Sequence, residues 1–282
     1  MKRFGMNQLG RDLVIGDLHG CMGQLSCALE GAGFDDSRDR LFSVGDLVDR
    51  GEDSLGASDL LIKPWFHAVR GNHEQMWIDA YADGQPTQRA LDAYCKRNDR
   101  DWWVHLDEVQ RQSLIERYRA MPIAIEIETA RGMVGLVHAE VPIGVNWPAF
   151  VSSLSSDLDR YLERALWSRT RFNNGDSFGV RGIDRVFVGH NITPSPLFCG
   201  NVLCIDTGAM IASPGSEDFG PFGLTLVNVC AAGSVIRDSP RSVAALQAAC
   251  GLFSSETVDH KDLDLGPDAY EDAPFDDAEL SI

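Results

Sequence analysis

Three short segments near the start of the chain combine glycine with side chains that bind metals or phosphate. They read GDLHG at 16–20, GDLVDRG at 45–51 and RGNHE at 70–74. Their carboxylate, imidazole, amide and guanidinium groups belong to Asp17, His19, Asp46, Asp49, Arg50, Asn72 and His73. Carboxylates mixed with imidazoles suit Mn²⁺, Fe or Zn²⁺, and guanidinium groups match phosphate oxygens. The spacing therefore predicts a site where divalent metals meet a phosphate group.

Three further candidates come after later apolar runs. His138 follows 133–137, His190 follows 186–188, and Asp206 follows 202–205. A single glycine–aspartate turn or strand-end histidine is more often structural than catalytic, but the ordered series favours one common site. Two ions that lie about 3.5–4 Å apart need a bridging carboxylate, and Asp46 is the expected bridge.

The apolar runs before these residues have the composition of strands. Runs at 13–15, 41–44 and 65–69 each precede a segment with helical spacing, at 24–31, over about ten residues from 53, and towards 81. Strands that alternate with helices favour a largely parallel sheet, whose loops leave the carboxyl ends of the strands at one edge. We therefore expect Asp17, Asp46 and Asn72 to lie close together.

The remaining segments predict a helical insertion and a second group of strands. Residues 87–119 have helical spacing without evident chemistry, and Pro122 ends this tract. A hairpin is expected from 123–127 and 133–137, followed by a helix over 156–167 and strands over 186–188, 202–205 and 224–229. A last helix is expected over 241–252.

The formal net charge of −17 is concentrated at the end of the chain. Residues 253–282 hold ten acidic residues and one lysine, a net of −9, which leaves −8 for the other 252 residues. We expect one catalytic domain over 1–252, which includes the insertion, and a disordered acidic tail over 253–282. An acidic surface repels nucleic acid, so no nucleic-acid partner is expected.

The sequence has no feature that predicts a membrane or export signal. No apolar stretch follows the two basic residues at the N-terminus, and no window approaches the length of a membrane span. We expect a cytoplasmic enzyme with no membrane partner. The sequence does not indicate the oligomeric state.

Five motifs together resemble those of a known family. GDLHG, GDLVDRG and RGNHE, with VHAE at 137–140 and VGHN at 188–191, resemble the phosphoprotein phosphatase family of calcineurin-like metallophosphoesterases. The runs KPWFHAVRGNHEQMWIDAYADG, MPIAIEIE and YLERALWSR are similar to its bacterial and lambda-phage serine/threonine phosphatase branch. The resemblance covers about residues 12–230. It implies an α/β (α+β) fold with two packed mixed β-sheets flanked by helices, a four-layer sandwich.

The resemblance also implies a role for each motif residue. Two divalent metal ions are implied, with Mn²⁺ as the first expectation and Fe or Zn²⁺ as alternatives. The ligands of the first would be Asp17, His19 and Asp46, and those of the second Asp46, Asn72, His138 and His190. Phosphate oxygens would be held by Arg50, Arg169 and Asn72. His73 would be the general acid, oriented by Asp49.

The implied activity is hydrolysis of phosphomonoesters by a hydroxide that bridges two metal ions. Two cations lower the pKa of a shared water and neutralise the phosphate charge that would repel it. A serine or threonine alkoxide is a poor leaving group and needs a proton from His73, while a carboxylate on the other ring nitrogen favours the imidazolium. The expected partner is a phosphorylated protein or peptide, with phosphotyrosine as a further substrate.

Two other functions remain open from the sequence. One is a symmetrical dinucleoside tetraphosphatase, which uses similar motifs on a nucleotide anhydride. Asp49 disfavours it, because related nucleotide hydrolases tend to have Ala there and an anhydride needs less help from an acid. The other is a catalytically silent phosphate-binding protein, which the complete ligand set disfavours.

A few residues near the motifs could serve other roles. Arg70 could bind phosphate or brace neighbouring carboxylates, and the two alternatives are evenly matched. Trp102 and Trp103 are expected to pack in the core rather than line a substrate surface. Glu140 and Asn191 stand where the branch often has Asp and Thr, and these differences should affect substrate fit rather than chemistry.

Overall fold

The computed structural model describes residues 1–97, 100–211 and 222–230. Within them the strands are β1 (Lys2–Phe4), β2 (Asp12–Ile15), β3 (Arg40–Ser43), β4 (Phe66–Ala68), β5 (Ala124–Thr129), β6 (Gly132–Val137), β7 (Arg185–Val188), β8 (Leu197–Cys199), β9 (Val202–Cys204) and β10 (Leu226–Asn228). The helices are α1 (Met22–Gly31), α2 (Ser54–Asp59), α3 (Asn72–Ala80), α4 (Gln88–Arg97), α5 (Glu108–Ala120), α6 (Trp147–Ser156), α7 (Leu158–Trp167) and α8 (Thr170–Asn173).

The strands form two mixed sheets, as predicted. The four-stranded sheet has the order β10-β2-β3-β4, in which β2, β3 and β4 are parallel and β10 is antiparallel to β2, with Leu226 opposite Ile15. The six-stranded sheet has the order β1-β5-β6-β7-β9-β8. In it β6, β7 and β9 are parallel, while the hairpin pairs β5–β6 and β8–β9 are antiparallel.

Successive residues along a strand face alternately the core between the two sheets and the core beneath the helices, and this alternation creates the layers of the fold. In β2, Val14 belongs to the apolar core between the two sheets, together with Phe42 of β3 and Phe187 of β7. Its neighbours Leu13 and Ile15 point the other way and pack with helices α1, α3 and α5. Because successive strand residues face opposite sides, a short strand can contribute to two cores at once. A third apolar cluster lies between the six-stranded sheet and helices α6 and α7, which completes the four layers.

The segment predicted as a helical insertion contains helices α4 and α5 and packs beside the four-stranded sheet. Helices α4 and α5 flank a short 3-10 turn at Asp101–Trp103, and Trp103 stacks on Trp77 of α3 with ring centroids 3.9 Å apart. The Asp107 side chain caps α5 by accepting a hydrogen bond from the Gln110 backbone N–H. Helix α5 ends at Ala120, two residues before Pro122.

The prediction of one helix over 156–167 was incomplete. Helix α6 begins after Asn146, whose side chain accepts from the Ala149 N–H, and α7 starts only at Leu158. At Asp157 the backbone has φ −154° and ψ 60°, outside the helical region, and this residue separates the two helices. Strands β1 and β8 were missed as well, because three-residue edge strands are too short for a detectable alternation.

Two predicted segments lie outside the described residues, namely the helix over 241–252 and the acidic tail over 253–282. Among the described helices, none has the length and apolar character needed to cross a bilayer. The motifs all fall on described elements, and the loops that follow β2, β3, β4, β6 and β7 carry them.

Candidate active site

The loops after the three parallel strands β2, β3 and β4 are joined directly to one another. The backbone N–H groups of Leu18 and His19 donate to the carbonyl oxygen of Asp46, at 3.0 and 2.9 Å. The fully buried Glu74 carboxylate accepts from the N–H groups of Gly71, Asp46 and Leu47, at 2.7, 3.1 and 2.7 Å. These contacts bring the three glycine-rich motifs to one sheet edge, as the strand order predicted.

The backbone at this edge has an unusual conformation. Among the described residues other than glycine, positive φ occurs at His19, Asp46, Asp49, Arg50 and His190. Every one of them is a predicted site residue. A left-handed conformation costs a non-glycine residue about 1–2 kcal/mol, so it persists only where the surroundings enforce it. The strain is therefore concentrated where side chains must converge.

Two glycines let the backbone approach the carboxylates closely. A Cβ added at Gly189 would overlap the Oδ1 atom of Asp17, and one added at Gly71 would overlap the Oδ1 atom of Asp46. Even alanine would displace a carboxylate at either position. The glycines of RGNHE and VGHN are therefore required, because no larger side chain fits beside these carboxylates.

The converging loops form a pocket that is partly open to solvent. Eight of the ten predicted site residues line it: Asp17, His19, Asp46, Arg50, Asn72, His73, Arg169 and His190. The other two, Asp49 and His138, lie beneath its surface and are fully buried. Trp167, Ile192 and Asp206 complete the wall. The structure therefore brings all ten predicted residues together.

Backbone carbonyls orient three of the imidazoles at the site. The Nδ1–H groups of His19 and His138 donate to the carbonyls of Val48 and Val44, at 2.9 and 2.8 Å. The Nε2–H of His190 donates to the carbonyl of Trp167 at 3.1 Å. These partners imply that His19 and His138 present Nε2 lone pairs to the site, whereas His190 presents Nδ1.

The same imidazoles are uncharged at neutral pH. Burial lowers the pKa of His19 to about 3. Burial likewise lowers the pKa of His138 and takes that of His190 well below its ordinary value. A neutral imidazole is the form that binds a metal.

Lone pairs of several oxygen and nitrogen atoms point towards one another in this site, and no proton lies between them. The Asn72 Oδ1 atom lies 2.8 Å from His138 Nε2 and 3.1 Å from His190 Nδ1. Asp46 Oδ2 lies 3.4 Å from the same His138 atom and 3.7 Å from His19 Nε2. A buried Oδ1 atom of Asp17 has no hydrogen-bond partner. Such a donor set fits cations, because only a metal ion satisfies several converging lone pairs at once.

Two groups of potential ligands share Asp46. One consists of His19, Asp46 and His73, and the other of Asp46, His138 and His190, with the ligand atoms of each group within 4.8 Å of one another. A carboxylate common to both groups is the arrangement that a two-metal site requires. By distance alone His73 belongs to the first group, although its Nδ1 atom is already bonded to Asp49.

The electrostatics of the pocket also favour cations. Burial and the nearby Asp206 and Asp46 raise the pKa of Asp17 well above its ordinary range. Burial raises the pKa of Asp206 to about 6, and burial together with Asp46 raises that of Glu74 to about 7. Buried carboxylates this close together stay ionised only if positive charge is supplied.

A buried cluster supports His73 from behind the pocket wall. The Nδ1 atom of His73 lies 2.8 Å from Asp49 Oδ2, and Arg100 Nε donates to the same oxygen at 2.6 Å. The indole N–H groups of Trp77 and Trp102 donate to Asp49 Oδ1, at 3.1 and 2.8 Å. Burial would raise the pKa of the Asp49 carboxyl, but the charge of Arg100 and the bonds from His73 and Trp102 keep it below its ordinary value.

The two predicted phosphate-binding arginines lie on the pocket wall. Arg169 donates from Nη1 to the carbonyl of His190 at 2.7 Å, and Arg50 Nη1 lies 3.2 Å from the Met210 sulfur. Arg70 instead donates to Gln75 and to the carbonyls of Arg119 and Met121. It braces the end of α5 and does not line the pocket, so these contacts match neither phosphate binding nor the bracing of carboxylates, the two roles considered from the sequence.

Several residues of the site were not predicted. Glu74 is the last residue of RGNHE, and its place three residues after Gly71 was a signal that could have identified it as a capping carboxylate. Trp103 packs in the core and Trp102 packs against it, as predicted, but the hydrogen bond from Trp102 to Asp49 was not expected. Arg100 lies in the insertion, and no motif or periodicity marks it.

Comparisons with known proteins show the family of this chain. A sequence profile of calcineurin-like phosphoesterases matches residues 11–193. Serine/threonine-protein phosphatase 1 of Salmonella typhimurium is 36% identical over 200 residues, which cover 70% of this chain and 86% of that protein. The symmetrical bis(5'-nucleosyl)-tetraphosphatase of Cellvibrio japonicus is 42% identical over 70 residues, 24% of this chain and 26% of that protein.

The fold agrees with a solved structure as well. A Saccharomyces cerevisiae protein serine/threonine phosphatase with similarity to human phosphatase PP5 superposes with a TM-score of 0.51 at 16% identity. The match covers 81% of this chain and 76% of that chain. Motifs, sheet topology and profile match lead to one conclusion: the chain belongs to the calcineurin-like phosphoesterase family.

Proposed function

We propose that this phosphoesterase is a protein phosphatase for phosphoserine and phosphothreonine, with phosphotyrosine as a further substrate. The observation that carries the proposal is the His73–Asp49 pair, a proton donor and its acceptor partner 2.8 Å apart beside a pocket with two arginines. An alkoxide leaving group requires a proton, whereas a phosphoanhydride requires less help. The relative that aligns over 86% of its own length carries the serine/threonine-protein phosphatase name.

Two Mn²⁺ ions are the proposed cofactors, with Fe or Zn²⁺ as alternatives. We assign Asp17, His19 and Asp46 to the first ion and Asp46, Asn72, His138 and His190 to the second. A bound pair of such ions would polarise the phosphoryl group and activate water. The chain itself supplies the carbonyl-oriented imidazoles and the shared Asp46 carboxylate that would hold them.

The other pocket residues act on the substrate. Arg50, Arg169 and Asn72 bind phosphate oxygens. The planar guanidinium group allows each arginine to donate two parallel hydrogen bonds. His73 gives its Nε2 proton to the departing serine or threonine oxygen, while Asp49 keeps the other ring nitrogen bonded. Trp167 and Ile192 provide the apolar part of the wall beside the reacting group.

A side-by-side assay tests this function. With Mn²⁺ present, a phosphoserine peptide, a phosphotyrosine peptide and a symmetrical dinucleoside tetraphosphate are compared by kcat/KM. We expect the phosphopeptides to be preferred at least about tenfold, and chelation of the metal to abolish turnover. A strong preference for the dinucleotide would assign the chain to the nucleotide hydrolases. If none of them and no nitrophenyl phosphate were hydrolysed, the result would favour the alternative function, a catalytically silent phosphate-binding protein.

Glu140→Ala should weaken phosphate binding. The buried Glu140 carboxylate accepts from the Ser168 hydroxyl at 2.7 Å and from the Arg171 N–H at 2.9 Å, on either side of Arg169. Without it the segment that carries Arg169 loses two bonds to a charged acceptor. We expect about a tenfold loss in kcat/KM for nitrophenyl phosphate, mostly through KM, with weaker inhibition by inorganic phosphate.

Glu126→Ala is the matched control for this variant. Its carboxylate also holds a neighbouring helix, through the Trp147 indole N–H at 2.8 Å, but its partners are Trp147 and Arg3 rather than the residues on either side of Arg169. Its thermal stability should fall without a change in KM. Unchanged inhibition by phosphate in Glu140→Ala would contradict the role given to Glu140.

A further inference from the structure

The helical insertion contributes a fully buried arginine to the core of the enzyme. Arg100 lies between helix α4 and the 3-10 turn at Asp101–Trp103, and its side chain is 0% exposed. A buried charge is costly unless it is paired and fully hydrogen-bonded. The groups around Arg100 therefore indicate why it is there.

Each nitrogen of the Arg100 guanidinium has a specific neighbour. Nε donates to Asp49 Oδ2 at 2.6 Å, and Nη1 donates to the Tyr94 hydroxyl of α4 at 2.6 Å. Nη2 lies 3.3 Å from His73 Nδ1 and 3.6 Å from the Met76 sulfur. The guanidinium also lies over the rings of Trp77 and Tyr94, at 5.8 and 5.0 Å from their centroids. Its planar fork is thus held on several sides.

The contact between Arg100 and Asp49 matters because a single carboxylate oxygen accepts hydrogen bonds from two donors. Asp49 Oδ2 receives both His73 Nδ1 and Arg100 Nε, while Oδ1 is occupied by the indoles of Trp77 and Trp102. A carboxylate with four donors cannot rotate without breaking bonds. The position of Oδ2, and through it the direction of the His73 ring, therefore depends on Arg100.

We propose that Arg100 is a positioning residue for proton donation, which acts on His73 through Asp49. The inference rests on the proposed function and adds to it that the insertion takes part in catalysis. Tyr94 fixes the far end of Arg100, so the path runs from helix α4 through Tyr94, Arg100 and Asp49 to His73. A small error in the direction of an acid is enough to cost catalysis, since proton transfer requires a short and aligned hydrogen bond.

Arg100→Lys tests this role because it keeps the positive charge and removes the planar guanidinium group with its several hydrogen-bond donors. Phosphoserine peptide, phenyl phosphate and nitrophenyl phosphate are assayed with Mn²⁺, and kcat and KM are determined for each. We expect kcat to fall about tenfold or more for the peptide, severalfold for phenyl phosphate and less than about threefold for nitrophenyl phosphate, with KM nearly unchanged. Equal losses across the three substrates would overturn the proposal.

Arg111→Gln is the matched control. Arg111 is a buried arginine of the same insertion, but it donates to the carbonyls of Trp103 and Val104 rather than to Asp49. Its loss should lower thermal stability and leave the ratio of peptide to nitrophenyl phosphate turnover unchanged. If Arg111→Gln changed this ratio as much as Arg100→Lys, general loosening of the insertion would explain both.

Two further variants keep the test decisive. Tyr94→Phe removes only the anchor of Arg100 and should change the same ratio in the same direction by a smaller factor, even if Arg100→Lys does not fold. In an Asp49→Asn background, Arg100→Lys should add little further loss, because both residues act through one carboxylate. Tyr94→Phe with an unchanged ratio, or full additivity with Asp49→Asn, would contradict the proposal.

The comparison of substrates also separates this inference from the proposed function. Phenyl and nitrophenyl phosphates differ in leaving group without requiring a peptide site. If the wild-type enzyme does not hydrolyse the phosphopeptide, the proposed function is contradicted. Losses in Arg100→Lys that are equal for phenyl and nitrophenyl phosphate contradict the role of Arg100, whichever substrate the protein serves.

Discussion

His73→Asn should slow the hydrolysis of a phosphoserine peptide by about 10²–10⁴-fold, the usual contribution of a positioned general acid. Turnover of nitrophenyl phosphate should fall far less, because nitrophenolate leaves without a proton. His73 lines the pocket and is 1% exposed, with Nδ1 bonded to Asp49, so its Nε2 atom is the one available to a leaving group. Steady-state kcat on the two substrates measures the difference.

His67→Asn provides the matched control for this prediction. His67 lies in β4 and packs on Phe4 and Phe42, with ring centroids 4.3 and 5.4 Å apart, away from the pocket. Its replacement should reduce stability and leave the ratio of the two activities unchanged. Equal losses on both substrates in His73→Asn would assign His73 to metal binding, a role that its distance to Asp46 also permits.

Asp46→Asn should abolish the two-metal site and with it nearly all activity. Asp46 Oδ2 lies 3.4 Å from His138 Nε2 and 3.7 Å from His19 Nε2, so it is placed between both groups of ligands. Asparagine can still accept from the His73 N–H, but its neutral amide cannot bridge two cations. We expect bound Mn²⁺ to fall from two per chain to one or fewer, and kcat/KM to fall by at least about 10³-fold.

Elemental analysis of the purified protein measures the metal directly and does not depend on the substrate. The control is Asp12→Asn, which removes a buried carboxylate from the other end of β2, where Asp12 pairs with Arg40 at 2.7 Å. Metal content should stay at the wild-type value in that variant. Two ions per chain in Asp46→Asn would show that another residue is the bridge.

The strand-end residues could be located from the sequence because their placement follows from local patterns. Short runs of β-branched and apolar residues predict buried strands, and parallel strands necessarily deliver their following loops to one edge. Asp17, Asp46 and Asn72 were placed together on this basis, and the hydrogen bonds between their loops bear it out. The two mixed sheets were expected from the family resemblance and are confirmed.

Other features depend on contacts between distant segments, which a local pattern does not contain. Strand β1 has two charged residues among its three and exists because β5 offers it a free edge. Helix α6 was not predicted from hydrophobic spacing, and it is bounded by its Asn146 cap and by the backbone of Asp157. In both cases the partner or the cap, not the periodicity, determines the element.

The sequence was enough to predict the candidate ligands, the candidate phosphate-binding arginines and the candidate acid, because each belongs to a motif whose residue types fit one chemistry; their roles stay predictions. The sequence could not reveal the partners that orient those groups. The carbonyls that fix the three imidazoles, the left-handed backbone at five site residues and the Arg100–Asp49 contact arise only when separate loops are packed together. Side-chain identity is local information, whereas direction and protonation depend on neighbours that folding brings from far along the chain.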